Sequence, residues 1–197
     1  MFTGIIEGTV QVKEVEQAGE GRRIFVEYSE FLSEISEGES ISLSGTCLTV
    51  ESFQDDAVKF FLAEETLEKT WFSEIAEGDV LNVEKSLTPE DRMGGHIVQG
   101  HVETTAEILE IQELDEGWNF KFEKPEGFEN LVIEKGFIAV EGISLTVTEV
   151  SEDSFLVTII PETWQRTNLS EKNEGDLVNL EPDMMAKYVQ KNVENRR

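Results

Sequence analysis

The chain has 197 residues, with 42 Asp and Glu against 16 Lys and Arg, so its formal net charge at pH 7 is −26. A surface this acidic repels nucleic acid phosphates and anionic membranes, which excludes both as partners. Hydrophobic residues still make up 39% of the chain, including 12 Phe, which is enough to fill a core and argues against disorder. We therefore expect a folded protein whose acidic side chains lie mainly on its surface.

The counts of reactive residues restrict the chemistry further. One Cys and two His leave no internal disulfide and too few ligands for a zinc site of the usual kind. Residues 1–4 lack the basic segment of a secretory signal, and no apolar stretch approaches the roughly 20 residues that cross a bilayer. We expect a soluble, reduced, cytoplasmic protein with no metal or cofactor.

The chain contains an internal repeat. Residues 37–50 (EGESISLSGTCLTV) align with residues 134–147 (EKGFIAVEGISLTV), which places Cys47 on Ser144. The same offset, 134 − 37 = 97, matches further blocks: residues 65–66 with 162–163, residues 77–79 with 174–176, and Asn82 and Glu84 with Asn179 and Glu181. With one residue of slippage, residues 4–7 fall on residues 100–103. Chance similarity would not keep the same offset through several separated blocks. We therefore predict two copies of one domain.

Within each copy, apolar and polar residues alternate, which is typical of strands. The clearest runs are Ile41, Leu43, Gly45 and Cys47 in the first copy and Phe155, Val157 and Ile159 in the second. Gly-containing turns separate the runs every ten residues or so, as in β-sandwiches and barrels. Residues 64–70 and their copy, residues 162–167, favour a short helix because Glu, Leu, Lys and Gln prefer that conformation.

Two segments differ from the repeat. Residues 86–95 (SLTPEDRMGG) have the Pro, Gly and polar content of an exposed connector, so the predicted domains are residues 1–95 and 96–183. In residues 184–197 the spacing becomes helical, with an apolar stripe at Met184, Met185, Tyr188, Val189 and Val193. Positive charge, favourable to the helix dipole near its C-terminal end, is supplied by Lys187, Lys191, Arg196 and Arg197. A terminal apolar helix on a β protein has little of its own chain to pack on, so we predict an oligomer contact.

Both histidines lie in the block GGHIVQGH. Five residues apart, they fall on opposite faces of a strand, or about 140° apart on a helix, which excludes them as a metal pair. For His96 we favour a hydrogen bond to the connector near Gly94 and Gly95. His101 aligns with Ile5, so an ionisable group replaces an aliphatic one, and this asymmetry indicates a function.

Matched polar residues occupy equivalent positions in both copies. A buried core Cys would more naturally exchange for Ala or Val than for Ser, so Cys47 and Ser144 indicate a polar group presented at one place in each copy. Two pairs of threonines add to them: Thr49 with Thr146, and Thr66 with Thr163. Any single Thr is equally well explained as a strand former, but together they favour a polyhydroxylated or heteroaromatic ligand bound once per copy.

Two charged residues lack a counterpart in the first copy. Asp183 aligns with Ser86 and Lys135 with Gly38. An ordinary surface charge is the alternative for each, and it is a good one in a chain this acidic. No glycine-rich phosphate loop, nucleophile elbow or HExxH motif is present.

Eight blocks in chain order cover nearly the whole sequence: MFTGIIEG, GTCLTV, ETLEKT, MGGHIVQGHVETTAE, KGFIAVEGISLTV, IPETWQRTNL, EGDLVNLEPD and AKYV. Together they resemble riboflavin synthase of the alpha-chain type. The resemblance implies two tandem Greek-key β-barrels and a homotrimer formed through the C-terminal helix. It also implies dismutation of two 6,7-dimethyl-8-ribityllumazine molecules, without a cofactor, to riboflavin and 5-amino-6-(D-ribitylamino)uracil. The reacting pair is then expected between the N-terminal barrel of one subunit and the C-terminal barrel of its neighbour.

The resemblance also implies the substrate-binding residues. Those of the N-terminal barrel are Gly4, Ile5, Ile6, Cys47, Leu48, Thr49, Phe61, Leu62, Ala63, Glu64, Glu65 and Thr66. Those of the C-terminal barrel are Gly100, His101, Val102, Lys135, Ser144, Leu145, Thr146, Ile160, Pro161, Glu162, Thr163, Trp164 and Gln165. Phe2 and Ser40 fall on positions near the reacting rings.

Catalytic roles follow as hypotheses. The lumazine methyl beside the ring C=N is acidic, and His101 is the residue expected to handle its proton, alone or through a water. Cys47, Ser144 or a water polarised by them would add to the ring of the other substrate. Asp183 would anchor or orient groups across the subunit interface. Which barrel holds the four-carbon donor is left open.

Two other functions compete with this reading. The first is a non-catalytic lumazine- or flavin-binding protein of the antenna type with the same fold. Joint retention of the four candidate catalytic residues and Lys135 favours the enzyme, because a pure binder could lose them. The second is a flavoprotein reductase, which would need a nicotinamide-binding module for which the chain has no room.

Two features depart from the family pattern. Lys69, Thr70 and Trp71 stand where the second copy has Arg166, Thr167 and Asn168, and the C-terminal tail is short.

Overall fold

The computed structural model describes residues 1–54 and 56–195, which form two closed β-barrels and a C-terminal helix. The strands of the first barrel are β1 (Gly8–Ala18), β2 (Gly21–Glu27), β3 (Ser40–Leu43), β4 (Thr46–Gln54), β5 (Ala57–Leu62) and β6 (Val80–Lys85). Those of the second are β7 (Thr104–Leu114), β8 (Gly117–Glu123), β9 (Phe137–Val140), β10 (Ile143–Val150), β11 (Ser154–Ile159) and β12 (Leu177–Pro182). The predicted all-β class with tandem barrels is confirmed.

The two barrels share one topology. In the first, the neighbouring strands run β1-β2-β5-β4-β3-β6, and β6 also pairs with β1, which closes the sheet. In the second, the order β10-β11-β8-β7-β12-β9 is the same circuit, closed by the pairing of β9 with β10. The pairings are antiparallel, and strands such as β2 and β5 meet without being consecutive, as in a Greek key.

Each barrel is filled by the side chains of alternate strand positions, since successive residues of a strand face opposite sides of the sheet. The first core includes the fully buried Phe60 and Leu62. The second is aromatic, with Phe122 stacked on Phe155 at 5.3 Å between ring centroids, and Phe120 beside them. The two-residue period of the sequence therefore marks the strand faces that build the cores.

In the described part of the chain, three α-helices and three short 3-10 helices connect or follow the strands. The α-helices are α1 (Glu64–Lys69), α2 (Pro161–Arg166) and α3 (Met184–Glu194), and the 3-10 helices are Glu30–Leu32, Trp71–Glu74 and Asn168–Glu171. The short helices predicted at residues 64–70 and 162–167 are confirmed to within one residue. Pro161 starts α2 because the first helical position needs no N–H donor.

Helix α3 packs on the second barrel through one side only. The Asp183 side chain caps it by accepting a hydrogen bond of 2.9 Å from the Met185 N–H. Ala186 packs against the barrel core, and Lys187 forms an ion pair with Glu103. The predicted helical stripe is confirmed, whereas the charges expected from Arg196 and Arg197 lie outside the described residues. No helix in the described ranges is long and apolar enough to cross a membrane.

Equivalent asparagines join the two barrels. The side-chain amide of Asn82 donates to the Glu141 carbonyl at 2.9 Å, and that of Asn179 donates to the Ser44 carbonyl at the same distance. Asn82 and Asn179 are related by the repeat offset, as are Ser44 and Glu141. The barrels therefore pack about a local two-fold axis, with each copy reaching into the other.

The buried Glu141 carboxylate breaks this symmetry. It accepts hydrogen bonds from the Asn179 N–H at 2.6 Å, the Trp71 indole at 2.8 Å and the Asn168 amide at 2.8 Å. Its counterpart Ser44 accepts the equivalent bond from the Asn82 N–H at 3.1 Å. The sequence difference between Trp71 and Asn168 therefore falls at the interface between the barrels, where both side chains donate to one carboxylate.

Candidate active site

The segment that precedes each barrel crosses to the other barrel. The Gly4 carbonyl accepts a hydrogen bond of 2.8 Å from the Ser144 N–H, and the Gly100 carbonyl accepts one of the same length from the Cys47 N–H. The two positions that present a polar group in each copy are therefore each bordered by chain from the opposite copy.

This crossing bears on the predicted composition of the two pockets. Gly4, assigned with Cys47 to the first pocket, lies against Ser144 of the second barrel. The segment 100–102, predicted for the second pocket, lies beside Cys47 in the first. Gly4 and residues 100–102 therefore lie against the opposite copy from the one to which the resemblance assigned them, and their contacts with a ligand stay a prediction.

The crossing segments meet each other between the barrels. Phe2 and Val98 exchange two backbone hydrogen bonds of 2.8 and 3.1 Å, and both side chains are fully buried. Together with Ala139 they form a small apolar cluster against which Cys47 packs. Phe2, predicted near the reacting rings, lies in this cluster directly behind the cysteine.

Close approach at each crossing requires glycine. Gly4 and Gly100 have φ values of 75° and 79°, in the left-handed region that other residues rarely adopt. A Cβ on Gly4 would lie 2.6 Å from the Ser144 Cβ, and a Cβ on Gly100 would lie 2.6 Å from the Cys47 Cβ. Neither contact was predicted, although a glycine at equivalent places in both copies was the available signal.

Two equivalent buried glutamates hold the crossing segments in place. Glu84 accepts hydrogen bonds from the Thr3 N–H at 2.6 Å and the Gly4 N–H at 3.0 Å. Glu181 accepts from the Gln99 N–H at 2.6 Å and the His101 N–H at 2.7 Å. Burial raises the pKa of both carboxyl groups, and these hydrogen bonds oppose the rise. The sequence showed the matched glutamates but gave no reason to assign them this role.

An open cleft of about 600 Å³ lies beside Cys47. This volume is within the range of small-molecule sites, roughly 300–1,000 Å³. Both copies and α3 contribute to its lining, which consists of Thr46, Cys47, Ala63, Glu65, Thr66, Lys69, Thr70, Gly100, His101, Val102, Glu103 and Lys187. Seven of these residues were predicted to bind substrate. The His101 side chain is exposed at the cleft, and Cys47 is half-buried.

Four predicted pocket residues have their side chains in the barrel cores. Leu48 and Leu62 are buried in the first barrel, and Ile6 and Leu145 in the second. Leu48 follows Cys47 on one strand, so its side chain faces the opposite side of the sheet. If these four residues line a pocket as predicted, they do so through their backbone, because their side chains are buried in the barrels.

Other predicted residues of the first half lie on strands β3, β4 and β5 and at the start of α1. Ser40 and Thr49 are directly opposite each other on β3 and β4, and Thr49 is exposed. The Phe61 ring lies under the Arg23 guanidinium, 5.5 Å from its centroid. Glu64 is exposed at the first position of α1.

The second half presents its predicted residues around α2. Lys135, Thr146 and Ile160 are exposed, and the Trp164 ring stacks on Trp118 at 4.1 Å between centroids. The remaining predicted residues belong to the same helix: Pro161, Glu162, Thr163 and Gln165. Helix α2 thus repeats the position that α1 has beside the first cleft.

Ser144 is covered by the connector through His96. The His96 Nδ1 lies 2.7 Å from the Ser144 Oγ, and its ring stacks on Phe137 at 5.2 Å between centroids with 9° between planes. The His96 N–H donates to the Thr3 carbonyl at 3.2 Å. The interpretation of His96 as a residue that bonds the connector is therefore wrong, since its side chain bonds a candidate catalytic hydroxyl. Burial lowers the His96 pKa, an effect that the charge of Asp183 opposes.

Residues 3–86 and 99–183 each match a family described as the lumazine binding domain. The chain is 36% identical over 190 residues to the riboflavin synthase of Actinobacillus pleuropneumoniae, covering 96% of this chain and 88% of that protein. It is 38% identical over 196 residues to the riboflavin synthase of Schizosaccharomyces pombe, covering 98% of this chain and 94% of that protein. The chain belongs to the riboflavin synthase family.

The fold of this riboflavin synthase family member also matches solved structures. LumP in complex with riboflavin superposes with a TM-score of 0.85 over 92% of this chain and 99% of that one, at 23% sequence identity. At this sequence identity the match shows only that the two folds are alike. The predicted repeat is confirmed, and the two matched ranges leave between them residues 87–98, the segment that carries His96.

The structure thus gathers the candidate groups of this family member in two half-sites. Cys47 and His101 meet at the first cleft, and Ser144 and His96 meet in the second half. Within the described residues, no three His, Cys, Asp or Glu side chains come together as metal ligands would.

Proposed function

We propose that the protein converts two molecules of 6,7-dimethyl-8-ribityllumazine into riboflavin and 5-amino-6-(D-ribitylamino)uracil. One lumazine transfers a four-carbon unit to the other, and the two products contain all the atoms of two substrates. The reaction therefore consumes no oxidant, reductant or cofactor. The observation that carries the proposal is a pair of equivalent half-sites within a chain of this family, one at Cys47 and one at Ser144.

The two half-sites suit a reaction between identical substrates. Each would hold one lumazine, with ring and ribityl groups recognised by equivalent strands and by α1 or α2. Fixing two reactants in one orientation contributes about 7–11 kcal/mol to the lowering of a barrier. Duplication thus supplies the main requirement of the chemistry, which is the placement of one substrate against another.

His101 is our candidate for proton transfer at the first cleft. Its exposed imidazole lies beside Cys47, and histidine is the side chain that most often transfers protons in general acid–base catalysis. It would take the proton from the acidic lumazine methyl, directly or through one water. Cys47, Ser144 or a water polarised by them would add to the second ring, while Asp183 would orient groups from the start of α3.

We further propose a homotrimer in which half-sites of neighbouring subunits face each other. The apolar face of α3 supports this arrangement because Met185, Tyr188, Val189 and Val193 are 58%, 63%, 60% and 49% exposed in the single chain. An apolar stripe of this kind on a helix is typical of an oligomer contact. The single free thiol is compatible with the reducing cytoplasm, where we place the protein.

The test is to mix the purified protein with 6,7-dimethyl-8-ribityllumazine in EDTA and to follow riboflavin fluorescence and both products. One riboflavin per two lumazines is expected. Binding of lumazine without product would instead support a non-catalytic protein of the same fold and would overturn the proposed reaction.

The assigned roles are tested by Cys47→Ala and His101→Gln. Each is expected to lower kcat, while the exposed Phe53→Ser variant, whose ring contacts Tyr28 on the first barrel, keeps the wild-type rate. Wild-type turnover in both cleft variants would show that the roles given to the thiol and the imidazole are wrong.

A further inference from the structure

Several differences between the two copies lie around Ser144. Ser144 replaces Cys47 of the first copy, and Phe137 and Asp183 replace two serines, Ser40 and Ser86. His96 lies between the two ranges that match the family model, outside the aligned blocks of the repeat. The surroundings of Ser144 therefore differ from those of Cys47, and we expect the two places to have different tasks.

Three contacts fix the His96 ring in this place. Its backbone N–H is bonded to the Thr3 carbonyl, its ring lies almost parallel to Phe137, and its Nδ1 is 2.7 Å from the Ser144 Oγ. Only 7% of His96 is exposed. A histidine held by backbone, stacking and hydrogen bond has little freedom to leave the hydroxyl.

The ionisation of His96 suits an acceptor. Burial favours the neutral ring, and the charge of Asp183 only opposes this effect. When the proton of a neutral ring is on Nε2, Nδ1 accepts a hydrogen bond. The Ser144 hydroxyl then points its hydrogen at His96 and turns its lone pairs toward the open side of the half-site.

We propose that His96 is a positioning residue that fixes the orientation of the Ser144 hydroxyl, and that Phe137 holds the His96 ring for this purpose. The inference rests on the proposed function, since Ser144 is assigned there to the second substrate. The second half-site thereby gains an oriented oxygen acceptor, whereas within the described residues no histidine is hydrogen-bonded to the thiol of Cys47 in the first.

Two substitutions separate the hydrogen bond from the stacking. His96→Phe keeps a ring against Phe137 but has no acceptor, and His96→Asn places an amide oxygen near the position of Nδ1 without the ring. Loss of a neutral hydrogen bond typically costs about 1 kcal/mol, which corresponds to about fivefold in rate. We expect His96→Phe to lower kcat about fivefold with little change in KM, and His96→Asn to recover a large part of the loss. Equal loss in both variants would overturn the proposal.

A double-mutant cycle tests whether His96 acts through Ser144. The variants are His96→Phe, Ser144→Ala and the double variant, with Phe53→Ser on the first barrel as a control whose exposed ring is comparable to that of Phe137. If His96 acts by orienting the hydroxyl, His96→Phe lowers kcat in the wild type but not in the Ser144→Ala background. Additive losses, or wild-type kcat in His96→Phe, would refute the role.

Phe137→Ser introduces the residue that the first copy has at this position. It removes the stacking and leaves the hydrogen-bonding groups in place, so we expect a smaller fall in kcat than in His96→Phe. An unchanged kcat would refute the role of Phe137.

Thermal melts of every variant identify loss of fold, and the His96→Asn comparison decides the question if His96→Phe is unfolded. If the wild-type protein forms no riboflavin, the proposed function fails; if it does and the cycle is additive, only this inference fails.

Discussion

The backbone N–H of His101 donates a hydrogen bond of 2.7 Å to Oε2 of Glu181, which is almost fully buried. A carboxylate from the last strand of the second barrel thus fixes the chain that carries an imidazole to the cleft of the first. The position of the candidate proton acceptor therefore depends on a residue that does not line the cleft.

We expect Glu181→Gln to destabilise the protein and to lower kcat. The amide group turns one acceptor oxygen into a donor that faces a backbone N–H, and an unsatisfied buried group costs about 1–3 kcal/mol. Urea unfolding and turnover measure the two effects. The exposed Glu123→Gln is the matched control. Wild-type stability in Glu181→Gln would contradict the role of this carboxylate.

We expect Glu141→Ala to lower the unfolding free energy by about 3 kcal/mol or more, because the Asn179 N–H and the half-buried Trp71 indole lose their acceptor at the barrel interface. The Asn168 amide loses one acceptor and keeps two others, the Ser44 hydroxyl and the Val80 carbonyl. Glu152→Ala removes the same charge from an exposed turn and should change stability by less than about 0.5 kcal/mol. Denaturant titrations of both variants give the comparison. Equal effects would mean that the network adds nothing beyond the charge.

Tyr188→Asp should dissociate the proposed trimer. A carboxylate on the apolar face of α3 would have to be buried without a partner in a subunit contact. Sedimentation velocity should show monomer, and riboflavin formation should fall because facing half-sites are separated. Leu109→Asp, the same kind of change at an exposed leucine of β7, should leave both unchanged. If the Tyr188→Asp variant remained a trimer, α3 would be excluded as the contact between subunits.

The pH dependence of stability should report on His96. Its folded pKa is below the ordinary value of 6.5, so below that pH the unfolded chain binds the proton first and the native state loses stability as pH falls. His96→Phe should remove this loss. Unfolding free energies between about pH 7 and pH 5 give the difference. The buried glutamates contribute equally to the pH dependence of the wild type and of His96→Phe, so their effect cancels in the difference. Identical pH profiles would contradict a buried, neutral His96.

Stability should rise with salt. The described residues form five surface ion pairs, too few to balance a net charge of −26. The screening length falls from about 10 Å at 0.1 M to about 3 Å at 1 M salt, which weakens the repulsion between carboxylates. A melting temperature that rises with KCl is expected, and one that stays flat or falls would refute the idea.

Much of the fold follows from the sequence. The offset between Cys47 and Ser144 gave the duplication, strand alternation gave the barrel cores, and composition gave α1, α2 and the apolar stripe of α3. These features are local or periodic, and hydrophobic burial enforces them wherever they occur.

The crossing of the segments that precede the two barrels could not be predicted from the sequence in the same way. Gly4 and Gly100 are equivalent whether each contacts its own copy or the other, and only the packed structure decides. The same limit applies to His96, whose partner Ser144 is 48 positions away in the chain. Burial of polar groups between distant segments is a tertiary property that no spacing encodes.

The Phe2–Val98 pairing joins one position of the repeat to its own counterpart. In a chain with a single copy, the partner of Phe2 would be the same residue of a second molecule, and its opening segment would complete that molecule's barrel. The arrangement is thus that of a segment-swapped homodimer whose two subunits have been joined end to end. Fusion is what frees the two halves to diverge, since in a homodimer every substitution at the cysteine position would appear at both sites.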